Sequence, residues 1–98
     1  MDVQFDDPDL DRLETDREFT AGQDDSTVKG FRKAMQVIRA AVDERDIYAM
    51  KGLRFEKLKG DRSHQHSLRV TIKWRLIVEL EGTAPNKIVR IKGIEDYH

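Results

Sequence analysis

From Leu68 to Leu80 every second residue is apolar: Leu68, Val70, Ile72, Trp74, Leu76, Val78 and Leu80 alternate with Arg69, Thr71, Lys73, Arg75, Ile77 and Glu79. A period of two is that of a half-buried strand. One straight strand carried on through Glu81 would be roughly 46 Å long at about 3.3 Å per residue, more than so short a chain can cover, so it must fold back. A two-residue loop would invert the phase between its arms. A three-residue loop at Thr71-Ile72-Lys73 preserves it and sets Leu68 opposite Leu76, Val70 opposite Trp74 and Arg69 opposite Arg75. Like charges facing each other across strands repel, and that register favours a place where an anion sits.

Before Gly52 the period is helical. Val28, Phe31, Met35, Ile38 and Val42 recur every three or four residues and form one apolar stripe. Gly30 lies inside this helix at a cost of about 1 kcal/mol relative to alanine. An earlier helix starts at Asp7-Pro8-Asp9, with an N-cap acid followed by proline at the first helical position. It is expected to run from Pro8 to about Thr20 with the sparse face Leu10, Leu13 and Phe19. Val3 to Phe5 and Ile88 to Ile94 read as strands, Thr83-Ala84-Pro85-Asn86 as a turn, and the chain ends in Glu95-Asp96-Tyr97-His98. The predicted class is α+β. Two N-terminal helices pack on one face of a small, mostly antiparallel sheet of four to five strands, in a single domain over residues 1–98.

Composition narrows the chemistry. At this length folding hides only roughly 60 to 70 per cent of the surface of the unfolded chain, so the core is thin. There is no cysteine, and the three histidines have no partners at metal-ligand spacing, which predicts chemistry without a metal or other cofactor. The acidic start Met1 to Leu10 has no apolar leader and no apolar run approaches a membrane span, so a cytoplasmic protein without membrane contact is expected. The net charge of −1 conceals a division: residues 1–25 hold ten acids and two bases, residues 26–98 sixteen bases and nine acids. Between Lys51 and Arg75 eight cations, Lys51, Arg54, Lys57, Lys59, Arg62, Arg69, Lys73 and Arg75, face only Glu56 and Asp61. Such a patch suits a polyanion; the bland reading is a sheet edge decorated with charge against aggregation.

The stretch Arg54-Phe55-Glu56-Lys57-Leu58-Lys59-Gly60-Asp61-Arg62, followed by His66-Ser67-Leu68-Arg69-Val70, Trp74-Arg75 and Asp96-Tyr97-His98, resembles the HigB branch of the RelE toxin superfamily. The resemblance implies helices on a small sheet, a toxin paired with a HigA-like helix-turn-helix antitoxin, and endonucleolytic cleavage of mRNA in the decoding site of the ribosome. Two departures stand out. Some members carry histidine where this chain has Glu56, and their hairpin often contains Asn-Asp where this chain has Thr71-Ile72-Lys73.

Metal-free RNA cleavage needs a base for the 2′-hydroxyl, cations for the charge that develops on phosphate, and an acid for the departing 5′-oxygen. Arg75 matches the family's catalytic arginine, and its fork can hold two phosphate oxygens. Lys59, before the Gly60-Asp61 turn, is a second cation. Glu56 is the candidate base, or else an ion-pair partner steadying the patch. His98, beside its own terminal carboxylate and Asp96, suits a general acid; Tyr97 can stack on a base or donate its hydroxyl to phosphate, and Asp96 can orient His98 or Lys59. Arg54, Lys57, Arg62, Arg69 and Lys73 are the expected RNA-binding cations, while His64 and His66 read as loop and strand-edge residues. Two rivals share this pattern: a non-catalytic gyrase-binding toxin of the ParE kind, and an RNA-binding module that does not cleave.

Overall fold

Three aspartates start three helices. The Asp7 carboxylate accepts from the Asp9 N–H at 2.9 Å, Asp24 from Thr27 at 2.8 Å and Asp43 from Arg45 at 2.9 Å, each satisfying a donor that a first helical turn leaves orphaned. The computed structural model describes residues 1–83 and 86–96. In chain order the elements are β1 (Asp2–Phe5), α1 (Pro8–Thr15), α2 (Asp25–Ala40), α3 (Glu44–Ala49), β2 (Glu56–Lys57), β3 (Gln65–Arg69), β4 (Trp74–Glu81) and β5 (Ile88–Asp96). Short 3-10 turns at Lys51–Leu53 and Gly60–Arg62 flank β2. No helix among the described residues is long and apolar enough to cross a membrane.

The helices differ from the pattern reading at their ends. α1 stops at Thr15 rather than near Thr20, because Asp16 turns extended and its carboxylate accepts from the Glu18 N–H at 3.0 Å. The carbonyls left over at that end are met by Arg32 of α2, which donates to Leu13 at 3.0 Å, Asp16 at 3.1 Å and Phe19 at 3.2 Å. α2 buries Val28, Phe31, Met35 and Ile38 as its spacing requires. It ends at Ala40, so Val42, expected on the stripe, is 83 % exposed. The Val42 N–H instead donates to the Asp46 carboxylate at 2.8 Å. This bond helps turn the chain into α3, a third helix that the pattern did not reveal.

The five strands lie in the order β1-β5-β4-β3-β2, antiparallel except for β1 beside β5. The phase argument for the hairpin holds: Leu68 faces Leu76, Arg69 faces Arg75, and the Val70 N–H donates to the Trp74 carbonyl at 2.9 Å. The Thr71 hydroxyl accepts from the N–H groups of Lys73 at 3.2 Å and Trp74 at 3.0 Å. It does there what an Asn or Asp side chain does in many turns. The strand predicted as Ile88 to Ile94 continues through Asp96, pairing Glu95 with Arg75 and Asp96 with Trp74. Of the expected turn at Thr83 to Asn86, Ala84 and Pro85 lie outside the described residues; the Asn86 N–H donates to the Thr83 carbonyl at 2.8 Å.

Alternation then sorts the sheet into two faces. Leu68, Leu76, Val78, Val89 and Ile91 are fully buried in the core with the helices. The opposite face carries Glu56, Ser67, Arg75, Ile77 and Glu95. Gly30 allows the helix layer to come close: a Cβ there would lie 2.1 Å from the Val70 carbonyl oxygen. Gly30→Ala is therefore expected to lower stability by about 1–3 kcal/mol net, because overpacking against a backbone oxygen outweighs the about 1 kcal/mol that alanine gains in helix propensity. Thermal circular dichroism should record a Tm lower by at least about 4 °C for a domain of this size. A raised Tm would mean that α2 does not pass so near the hairpin.

Candidate functional site

Register places Arg75 at the centre of the open face, between Arg69 on β3 and Glu95 on β5. One step along, Glu56 of β2 faces Ser67, which faces Ile77. Glu56, Leu58, Arg62, Arg75, Glu95 and Asp96 wall a cleft of about 310 Å³ with Ser67 and Ile77. Arg75 is only 6 % exposed, and its guanidinium lies 3.6 Å from the Glu56 carboxylate. An ion taken out of water is costly unless opposite charge and hydrogen bonds meet it, and that cost makes the position of Arg75 specific. The Arg69 and Arg75 repulsion expected from the register is thus eased by a carboxylate on the next strand.

Arg62 reaches the same cleft from the 3-10 turn after Leu58. It forms a two-pronged pair with Glu95, both contacts at 2.8 Å, and its Nε donates to Gln65 at 2.9 Å. Glu95 holds the Arg62 guanidinium still more firmly protonated than usual. Farther along the sheet, Arg90 is held by Glu81, Asp6 and Gln4, and Lys92 by Asp6. These cations, hydrogen-bonding to it, draw the Asp6 carboxyl below its ordinary range. The β1 end of the open face is in this way neutralised internally.

Of the eleven residues singled out from the sequence, the cleft brings together Glu56, Arg62, Arg75 and Asp96. Tyr97 and His98 lie outside the described residues. Lys59 is exposed immediately before the Gly60–Arg62 turn and is not a wall of the cleft. Arg54 ends the first 3-10 turn in a left-handed conformation, φ 46°. Lys57 pairs with His66, a register that points it to the other side of the sheet from Glu56. Lys73 stands over the Trp74 ring at 5.2 Å, near enough to α2 that its charge helps lower the Asp24 carboxyl. Arg69 borders a different cavity, with Lys33 and Lys51. Four walls escaped the sequence reading, Leu58, Ser67, Ile77 and Glu95. Continuing the last strand by two residues would have brought Glu95 into the sheet, although its pairing with Arg75 also depends on a register shift between Ile77 and Val78.

The family model described as the RelE-like toxin of the type II toxin-antitoxin system HigB matches residues 3–97. Among solved structures, a YoeB/ParE toxin from Agrobacterium tumefaciens is similar over 100% of both chains at 16% identity with a TM-score of 0.63, a likeness of fold. No curated protein sequence matches.

The histidines on β3 and before it stand apart from the cleft's chemistry. His64 lies 3.7 Å from the Glu79 carboxylate and is exposed. His66 stacks on Phe55, centroids 4.8 Å apart and planes at 15°, with Tyr48 edge-on to Phe55. Burial pushes the His66 imidazole below its ordinary value, and the charge of Lys57 adds to this. The folded state therefore binds fewer protons than the unfolded state. Stability is lost as pH falls through the unfolded value near about 6.5. His66→Phe, which keeps a ring on Phe55, should show a smaller drop in urea midpoint than the parent between about pH 7.5 and pH 5.5. Equal drops in the two proteins would remove His66 as a source of acid sensitivity.

Proposed function

Because the chain belongs to the HigB-like toxins, the RelE-like toxins of type II toxin-antitoxin systems, we propose that it is an mRNA-cleaving endoribonuclease that needs no metal, acts in the decoding site of the ribosome and is restrained by a HigA-like antitoxin. Family membership carries the antitoxin partner. The observation that carries the reaction is the buried guanidinium of Arg75 beside the Glu56 carboxylate, on the sheet face opposite the one that packs in the core with the helices.

In this reading the Arg75 fork receives two non-bridging oxygens of the scissile phosphate, where negative charge grows as the 2′-oxygen attacks. Glu56 takes the 2′-hydroxyl proton as the new O–P bond forms. The P–O5′ bond breaks, and His98 supplies the proton that the departing 5′-oxygen requires. The products are a 2′,3′-cyclic phosphate and a 5′-hydroxyl, so atoms and charge balance without any further reactant. Asp96, a wall of the cleft, leads directly into Tyr97 and His98. It is the group suited to orienting the imidazole, and Tyr97 to stacking on a base. Lys59 adds positive charge to the rim, and Arg54, Lys57, Arg62, Arg69 and Lys73 serve the RNA strand beyond the scissile phosphate. Arg62 can do so only by exchanging Glu95 for phosphate.

Cleavage of a translated mRNA, read as primer-extension stops, tests the proposal. Arg75→Ala should slow cleavage by about 100-fold or more, the usual loss for a preorganised contact to developing charge, and Arg75→Lys should not restore it because the fork is gone. Arg69→Ala should chiefly weaken binding and flatten its salt dependence. Small, equal effects from Arg75→Ala and Arg69→Ala would defeat the assignment, and no cleavage by the parent would favour the gyrase-binding or purely RNA-binding rivals.

Removing His98 alone should leave the Tm almost unchanged while cutting the rate by about 100- to 10,000-fold. The parent should cut equally well in a chelator that spares ribosomes. Unchanged cleavage by the chain lacking His98 would reassign the general acid.

A further inference from the structure

A second cavity, of about 400 Å³, opens on the helix side of the β3–β4 hairpin, between α2, the connection from α3 to β2 and the end of β3. Its apolar walls are aliphatic: Ala49, Met50, Leu53 and Val70. Lys33, Lys51 and Arg69 stand on it, and no carboxylate does. Some cations are answered within the chain, Arg39 by Glu14 and Arg90 by Glu81. Among the described residues these three form no ion pair. Apolar surface is also left in water here: Met50 is 44 % exposed, and the hairpin that supplies Val70 carries Ile72 at its tip, 80 % exposed.

The geometry points to this cavity as a docking site for an acidic amphipathic segment of the antitoxin, with aliphatic side chains seated between Met50, Leu53 and Val70 and flanking carboxylates on Lys33, Lys51 and Arg69. Charge complementarity sets the sign of the partner, and the floor sets its apolar anchors. RNA suits the cavity less, since no aromatic ring lines it on which a base could stack. The inference rests on the family, which brings a protein partner, and not on the cleavage reading. Arg69, which faces Arg75 across the hairpin, borders the cavity, but no residue lines both cavity and cleft, so a segment seated here need not enter the Arg75 cleft.

The probe is a synthetic helical peptide of about 18 residues, long enough to hold helix, with a leucine stripe flanked by glutamates. Its fluorescence anisotropy is titrated with the full chain. The parent should bind it, and both Lys33→Glu/Lys51→Glu and Met50→Asp should weaken binding at least about 10-fold. Lys33→Arg/Lys51→Arg should stay within about twofold, because charge is kept. All of these side chains are exposed, and thermal melts check that each variant folds. The proposal is overturned if the parent does not bind, if a lysine-flanked peptide binds equally well, or if Lys33→Glu/Lys51→Glu binds like the parent. It is overturned in favour of nucleic acid if that variant loses affinity for a single-stranded RNA in the same proportion. Binding is read without any cleavage, so a parent that fails to cut mRNA leaves this test standing.

Discussion

The open face depends on the parity of one hairpin. Slipping β3 against β4 changes which residues face one another: moving β4 by a single residue would carry Arg75 into the helix-side core and Leu76 into water, and moving β3 would do the same to Arg69 and Leu68. Two local features hold the register. The Thr71 hydroxyl ties down the N–H groups of Lys73 and Trp74, and α2 lies against Val70 through a residue that has no side chain. The helix layer and the turn thus enforce the same pairing, a consistency between local and tertiary preference that marks a well-specified fold.

Much of this was legible in the chain because it is periodic. Alternation through Leu80 and a three-residue loop fixed Arg69 opposite Arg75, and the Val28 to Ile38 spacing marked the buried side of α2. What escaped was set by single local bonds that leave no periodic trace. Asp16 ends α1 with its own carboxylate, and Asp43 and Asp46 start a helix of only six residues. The cluster of cations between Lys51 and Arg75 was visible as composition, but not its dispersal. A strand sends neighbours to opposite faces, so Glu56 and Lys57 part company, and Lys73 goes with the hairpin tip towards α2.

The cleft itself is mixed in charge rather than basic. Glu56, Glu95 and Asp96 stand among Arg62 and Arg75, which lets the buried guanidinium of Arg75 persist in the free protein. If RNA is the substrate, its phosphate competes with these carboxylates for the same forks, and affinity is the difference between two strong interactions. Such a site discriminates by geometry, because an anion that cannot meet both arginines gains little over the carboxylates it displaces.

The place of β5 bears on how the protein comes into being. This strand follows every other in the chain, yet it lies inside the sheet between β1 and β4, and it joins Asp2 to Ile88 across nearly the whole sequence. Until it has emerged during synthesis, β1 has no neighbour, β4 has a bare edge, and neither Glu95 nor Asp96 exists to wall the cleft. Pairings so distant in sequence form late and slowly. A chain that stops short of β5 is therefore an exposed-edge intermediate without a complete site, so assembly of the site awaits the emergence of that strand.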